Sequence, residues 1–143
     1  MKKTIVSLLL LIPMFCIAQK KDCSSFKTGN FIMTSEMFPG VEVAIFRDEI
    51  VQIEERINND TNVSKPEGKL YEKIEWLSDC KYKLTFDLTK GEADDMAKYI
   101  NNNGGIITTI LEVDNNCYSF ISNFTVNGKS QTVNGKICKD ISN

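Results

Sequence analysis

The chain has 143 residues, with 17 basic and 19 acidic side chains, a formal net charge of −2, five cysteines and no histidine. That length supports one domain with its own core. The missing histidines exclude Ser-His-Asp and Cys-His nucleophile arrangements and every histidine metal site. Mild acidity argues against nucleic acid as a partner, because affinity there rests on clustered Lys and Arg facing phosphates.

Lys2 and Lys3 precede an apolar run over residues 5–15, and Cys16, Ile17 and Ala18 then lead into polar Gln19, Lys20, Lys21 and Asp22. This is the layout of a secretory signal peptide over residues 1–18, with cleavage after Ala18. The run falls short of the roughly 20 apolar residues a retained anchor needs, and Pro13 interrupts it. Phe15 occupies the place where lipid modification of Cys16 wants a small residue. The expected product is a single β-rich domain over residues 19–143, periplasmic or secreted, with no stable membrane insertion after cleavage. Loss of Lys2 and Lys3 takes its net charge to −4.

From Gly29 on, apolar residues alternate with polar ones and turn residues punctuate the runs, as in an antiparallel meander. Phe31 and Met33 open the first strand, which Pro39-Gly40 ends; Val41, Val43 and Ile45 mark the second. In the third, over residues 50–57, Val51, Ile53 and Ile57 are read as sharing a face. Residues 58–68 are the most polar stretch and read as a loop. Leu70, Ile74 and Trp76 mark the fourth strand. Tyr82, Leu84, Phe86 and Leu88 mark the fifth, with one wet and one buried face.

Thr89 and Glu92 fit a capping box, and Asp94 and Asp95 complement the positive end of a helix. Ala93, Met96, Ala97 and Ile100 give that helix one apolar stripe, and residues 101–105 stop it. Its expected place is over an edge or end of the sheet, with a lid over a pocket as the sharper reading. Residues 106–113 and 118–126 form two further strands. Asn127-Gly128 is a hairpin signal, since both residues accept the positive φ of a type I′ turn. The second Asn-Gly, at Asn134-Gly135, reads as a bulge inside an eighth strand. The fold expected is therefore mainly β: about eight antiparallel strands in a barrel or half-barrel, with one short helix between strands five and six.

The four cysteines left after cleavage, Cys23, Cys80, Cys117 and Cys138, read as two disulfides in an exported domain. In a meander, Cys23 precedes strand one, while Cys80, Cys117 and Cys138 end strands four, six and eight, so all four gather at one end. A closed barrel favours Cys23–Cys138 with Cys80–Cys117; an open sheet makes Cys23–Cys80 equally good.

Three segments, Cys23-Ser-Ser-Phe-Lys-Thr-Gly-Asn-Phe31, Arg47 followed by Gln52-Ile-Glu54, and Ile74-Glu-Trp-Leu-Ser-Asp-Cys-Lys-Tyr-Lys-Leu-Thr85, together resemble a family of small exported bacterial proteins of unknown function. Members are sometimes labelled a topoisomerase subunit, which conflicts with a short, acidic, exported chain. The resemblance implies no active site or ligand to transfer. The Gly29-Asn30-Phe31 opening is also similar to the Gly-aromatic start of lipocalin-like barrels, a likeness of architecture alone.

No motif specifies a catalytic constellation, a metal site or a cofactor. Trp76 and Tyr82 flank the turn around Cys80; they line either a ligand-binding barrel mouth or an ordinary core beside a disulfide, the latter favoured. Arg47 continues the inward series of strand two, and Glu72 that of strand four. They make either a buried pair gripping a ligand head, or wet strand ends, which the scarcity of unpaired buried charge favours. Glu54 and Glu55 point to opposite faces of one strand and cannot flank a single substrate unaided. The function expected is a non-catalytic binding domain for an apolar small molecule or a protein. An inhibitor-like surface module and a carboxylate hydrolase of envelope glycans are the alternatives.

Overall fold

The computed structural model describes residues 22–57, 68–90 and 94–141. The leader read over residues 1–18, residues 58–67 of the polar stretch, Glu92 of the expected capping box and Ala93 of the helix's apolar stripe lie outside the described residues.

Eight strands, β1 (Gly29–Ser35), β2 (Glu42–Arg47), β3 (Val51–Ile57), β4 (Leu70–Ser78), β5 (Lys81–Phe86), β6 (Ile106–Asp114), β7 (Cys117–Val126) and β8 (Lys129–Lys139), pair antiparallel in chain order. β8 returns to β1, with Ile32 opposite Cys138, and closes the barrel. Closure removes the unpaired edges that an open sheet exposes, and eight strands leave room for filling side chains or one small ligand. Phe31, Ile45, Ile74, Leu84, Ile110, Phe120 and Ile137, from seven different strands, are buried together inside.

Val51 and Ile53 share a face of β3 as expected, and it is the outer one. Gln52 is buried and Glu54 half-buried inside. The apolar residues of β3 belong instead to an outer row in which Ile53 lies between Phe46 of β2 and Tyr71 of β4. β5 also ends before Leu88, which is exposed in the following turn.

The helix α1 (Asp95–Asn102) starts later than the capping box predicts. Asp94 is its cap, accepting from Ala97 N at 2.8 Å. Thr89 instead donates its hydroxyl to Asp87 Oδ1 at 2.6 Å, a local bond that holds the turn after β5. Ala97 and Ile100 are buried, whereas Met96 is exposed. Asn101 clips the helix to β5, accepting from Phe86 N and donating to Phe86 O. Gly105 leaves the helix at φ +77°, where a Cβ would strike the Leu84 carbonyl.

Asn127 and Gly128 take positive φ and join β7 to β8 tightly, as predicted. The second Asn-Gly is not a bulge: β7–β8 pairing runs without a shift through Phe120 opposite Gly135. Glycine serves packing there, because the Phe120 ring and the Thr34 carbonyl fill the space of a side chain.

All four thiols do meet at one end, but the pairing is Cys23–Cys80 and Cys117–Cys138. Closed-barrel adjacency of β1 and β8 favours Cys23–Cys138; local geometry overrides it. Cys117 and Cys138 are direct cross-strand partners, with Cα atoms 3.9 Å apart. Cys23 precedes a 3-10 turn (Ser24–Phe26) and reaches the β4–β5 turn, 5.4 Å from Cys80 between Cα atoms. Two such disulfides are compatible with an exported protein, since bridges of this kind are usual outside the reducing cytoplasm. No helix among the described residues is long and apolar enough to cross a membrane.

Candidate functional site

The strand directions give the barrel two unlike ends. Cys23, the β4–β5 turn and the start of β7 lie at one; the β1–β2 connection, α1 and the Asn127-Gly128 turn lie at the other.

The cysteine end is sealed around Arg47, which is 1% exposed. Its Nε and Nη2 donate to Gln52 Oε1 at 2.8 and 2.6 Å, and Nη1 donates to the Phe26 carbonyl at 2.9 Å. Nη1 also donates to Tyr118 Oη and Nη2 to Tyr82 Oη, both at 3.2 Å. All five guanidinium N–H groups are thereby used. The guanidinium carbon sits 4.8 Å from the Tyr82 ring centre and 5.3 Å from that of Phe31. Burial works against its charge, but the Tyr82 and Tyr118 oxygens more than offset this and hold its pKa above the usual arginine value. Burial raises the Tyr118 phenol well above its ordinary value. Trp76 stacks at 4.9 Å on Tyr82, under Lys27. Its buried Nε1 has no hydrogen-bond partner among the described residues.

Gln52 is the hinge of the interior. With Oε1 committed to Arg47, its Nε2 faces the carboxyls, donating to Glu54 Oε1 at 2.7 Å and to Glu72 Oε2 at 3.0 Å. This orientation follows from the network, since Arg47 offers only donors. The register places Gln52 directly opposite Glu72 and Glu54 opposite Leu70, so both acids project inward side by side. Both acids therefore hang on one amide nitrogen, close enough for each to act on the other's ionisation. Burial raises both pKa values. Glu72 is raised well beyond its ordinary value, because the Glu54 charge adds to burial. With one proton between them the pair carries a single negative charge, equal and opposite to that of Arg47.

Beyond the acids the interior opens into a cavity of about 240 Å³. Met33, Leu84, Phe86, Phe120, Phe124 and Ile137 form its apolar wall, and Gln52, Glu54, Glu72, Tyr82, Thr108 and Ser122 supply its polar groups. Thr108 and Ser122 are cross-strand partners whose hydroxyls bond at 2.7 Å. Met37, Phe38 and Leu70 surround the mouth. No residue of α1 lines this cavity, so the helix braces the rim instead of lying across the opening.

Of the residues singled out in the sequence, Arg47, Glu72, Trp76 and Tyr82 all face inward. Arg47 and Glu72 are buried, not wet strand ends. They are joined through Gln52 and not as a direct pair. Trp76 lies at the sealed end, away from the mouth, and only Glu72 and Tyr82 of the four line the cavity. Gln52, Glu54, Thr108 and Ser122 were not predicted as site residues. The available signal was register: Glu54 lies two residues beyond Gln52 and shares its face.

No protein-family model matches this sequence, and no curated protein matches it significantly.

Proposed function

We propose that this protein is an exported, non-catalytic binding module that holds an apolar small molecule in the open half of its barrel, in the periplasm or after secretion. The supporting observation is the cavity of about 240 Å³, with a predominantly apolar wall and a few polar groups at its inner end. That composition is usual for small-molecule sites. The reading gives the small exported bacterial proteins that this chain resembles a lipocalin-like task. A glycan hydrolase is the weaker reading. The two acids that converge here have the Gln52 amide nitrogen between them, donating to both, whereas glycosidase carboxyls stand roughly 5 Å or more apart around the sugar bond.

Native mass spectrometry of the protein purified from its own host tests the proposal. The expected result is a retained small molecule that is absent from Ile106→Trp, a variant that fills the cavity from its wall. Protein that is free of ligand from the host and binds no apolar probe, with near-ultraviolet circular dichroism and both disulfides intact, overturns it.

A further inference from the structure

The cavity's polar groups select among head groups, and this selection rests on the binding reading above. An anionic head finds no strong donor: every N–H of Arg47 is engaged, and the amide protons of Gln52 go to Glu54 and Glu72. It would instead meet the negative charge of the acid pair. A neutral hydroxyl can donate one hydrogen bond to that pair. An ammonium donates several and carries the charge that two ionised carboxylates require. The inner wall adds aromatic faces for a cation, since Phe86 is the cross-strand partner of Glu72 and Tyr82 lies on the same inner face.

We propose that the open half of the barrel binds an amphiphilic primary amine, its ammonium held by Glu54 and Glu72 and its apolar chain lying along Phe86, Phe120 and Phe124 towards the mouth.

Charge bookkeeping makes the consequence specific. Without ligand, Arg47 and a singly protonated acid pair sum to zero. When an ammonium arrives, the neutral arrangement is both carboxylates ionised, so the shared proton leaves to solvent as the cation enters. No bond other than that O–H is broken. Among the described residues, the groups facing the pair allow no other ready source or sink for the proton. Arg47 on β2 is fixed in its charged form, Gln52 on β3 and Thr108 and Ser122 on β6 and β7 do not titrate, and Tyr82 on β5 is bonded to Arg47. From β1 and β8 the cavity receives Met33, Ser35, Val133 and Ile137, none of them ionisable in this range.

Titration calorimetry of the disulfide-bonded protein with octylamine, 1-octanol and octanoate, each in phosphate and in Tris near neutral pH, provides the test. Octylamine should bind roughly tenfold or more tightly than 1-octanol, as expected for replacing a neutral by a charge-assisted hydrogen bond. About one proton should be released per amine bound, as the pair's shared proton requires. Octanoate should bind weakest. In Glu72→Gln, checked for folding by near-ultraviolet circular dichroism, both the proton release and the preference for amine should vanish while 1-octanol still binds. Glu54→Gln should repeat this, and it guards against a folding defect in the first variant. Equal affinity for octylamine and 1-octanol, or amine binding without proton release, overturns the amine assignment and leaves the cavity reading standing. Failure of all three probes to bind overturns both.

Discussion

On the cysteine side of Gln52 the barrel is filled: Phe26, Phe31, Tyr82 and Tyr118 close around Arg47, and the Cys23–Cys80 bridge ties the plug to the wall. On the other side the same eight strands leave about 240 Å³ unfilled. The two halves share strands, register and alternation; only the inward residues differ. A buried charge in the sealed half is tolerable because all its donors are used. The acids in the open half are tolerable because Gln52 donates to both, burial favours their neutral form, and they look onto unfilled space. One half is packed shut, and the other keeps polar groups that face unfilled space.

Breaking the sealed half should have the largest effect. Arg47→Met removes the partner of Gln52, Tyr82, Tyr118 and the Phe26 carbonyl at once, leaving buried polar groups without their donors. Urea unfolding with disulfides intact should show a loss of roughly 3–5 kcal/mol, the range for breaking a buried charged network. By contrast, Ser122→Ala in the open half loses one neutral hydrogen bond and should cost about 1 kcal/mol. Comparable losses in the two variants would erase the distinction between the halves.

The disulfides sharpen the same contrast. Cys23–Cys80 spans 57 residues and anchors the plug, while Cys117–Cys138 spans 21 and staples neighbouring strands. Loop-closure entropy alone gives roughly 4 and 3 kcal/mol respectively. Paired Cys→Ala variants, compared by urea unfolding, should therefore rank with the Cys23–Cys80 loss the larger. Removing that bridge also frees the turn that supplies a carbonyl to Arg47, so its cost should exceed the entropic difference. Equal midpoints would mean that the plug is held by packing and not by its bridge.

These contrasts show which parts of the molecule the sequence reveals. Strand alternation in residues 82–86 and 118–126, with the Asn127-Gly128 turn, was enough for an antiparallel barrel whose sulfurs gather at one end. The inward positions of Arg47, Glu72, Trp76 and Tyr82 followed from parity. Disulfide partners did not, because all four thiols gather at the same end whichever way they pair. The choice depends on a three-residue turn that carries Cys23 across it. On β3 the shared face of Val51 and Ile53 was legible but its side was not: these residues join Phe46 and Tyr71 on the outer surface, which turns Gln52 and Glu54 inward. Inverted polarity on one strand is what a polar group set within an interior looks like in sequence. The helix start was missed because Thr89 had a competing local partner in Asp87.

The smallest effect separates structural from functional polarity most directly. Burial raises the pKa values of Glu54 and Glu72 above those of glutamate in the unfolded chain, and the Glu54 charge raises Glu72 further. The folded protein thus binds protons more tightly than the unfolded chain. The stability this confers is fully present below the ordinary glutamate value of about 4.3 and is lost as pH rises through the raised folded values. Thermal unfolding should therefore show the melting temperature falling from mildly acidic to mildly alkaline pH, opposite in sign to a protein stabilised by paired carboxylates. Glu72→Gln, which fixes the pair in its singly charged state, should flatten that slope while leaving the melting temperature at mildly acidic pH nearly unchanged. Arg47→Met should steepen it, because the positive charge that offsets ionisation of the acids is gone. A slope that survives Glu72→Gln would assign it to groups outside the barrel and leave the acid pair without the cost that a bound cation is expected to relieve.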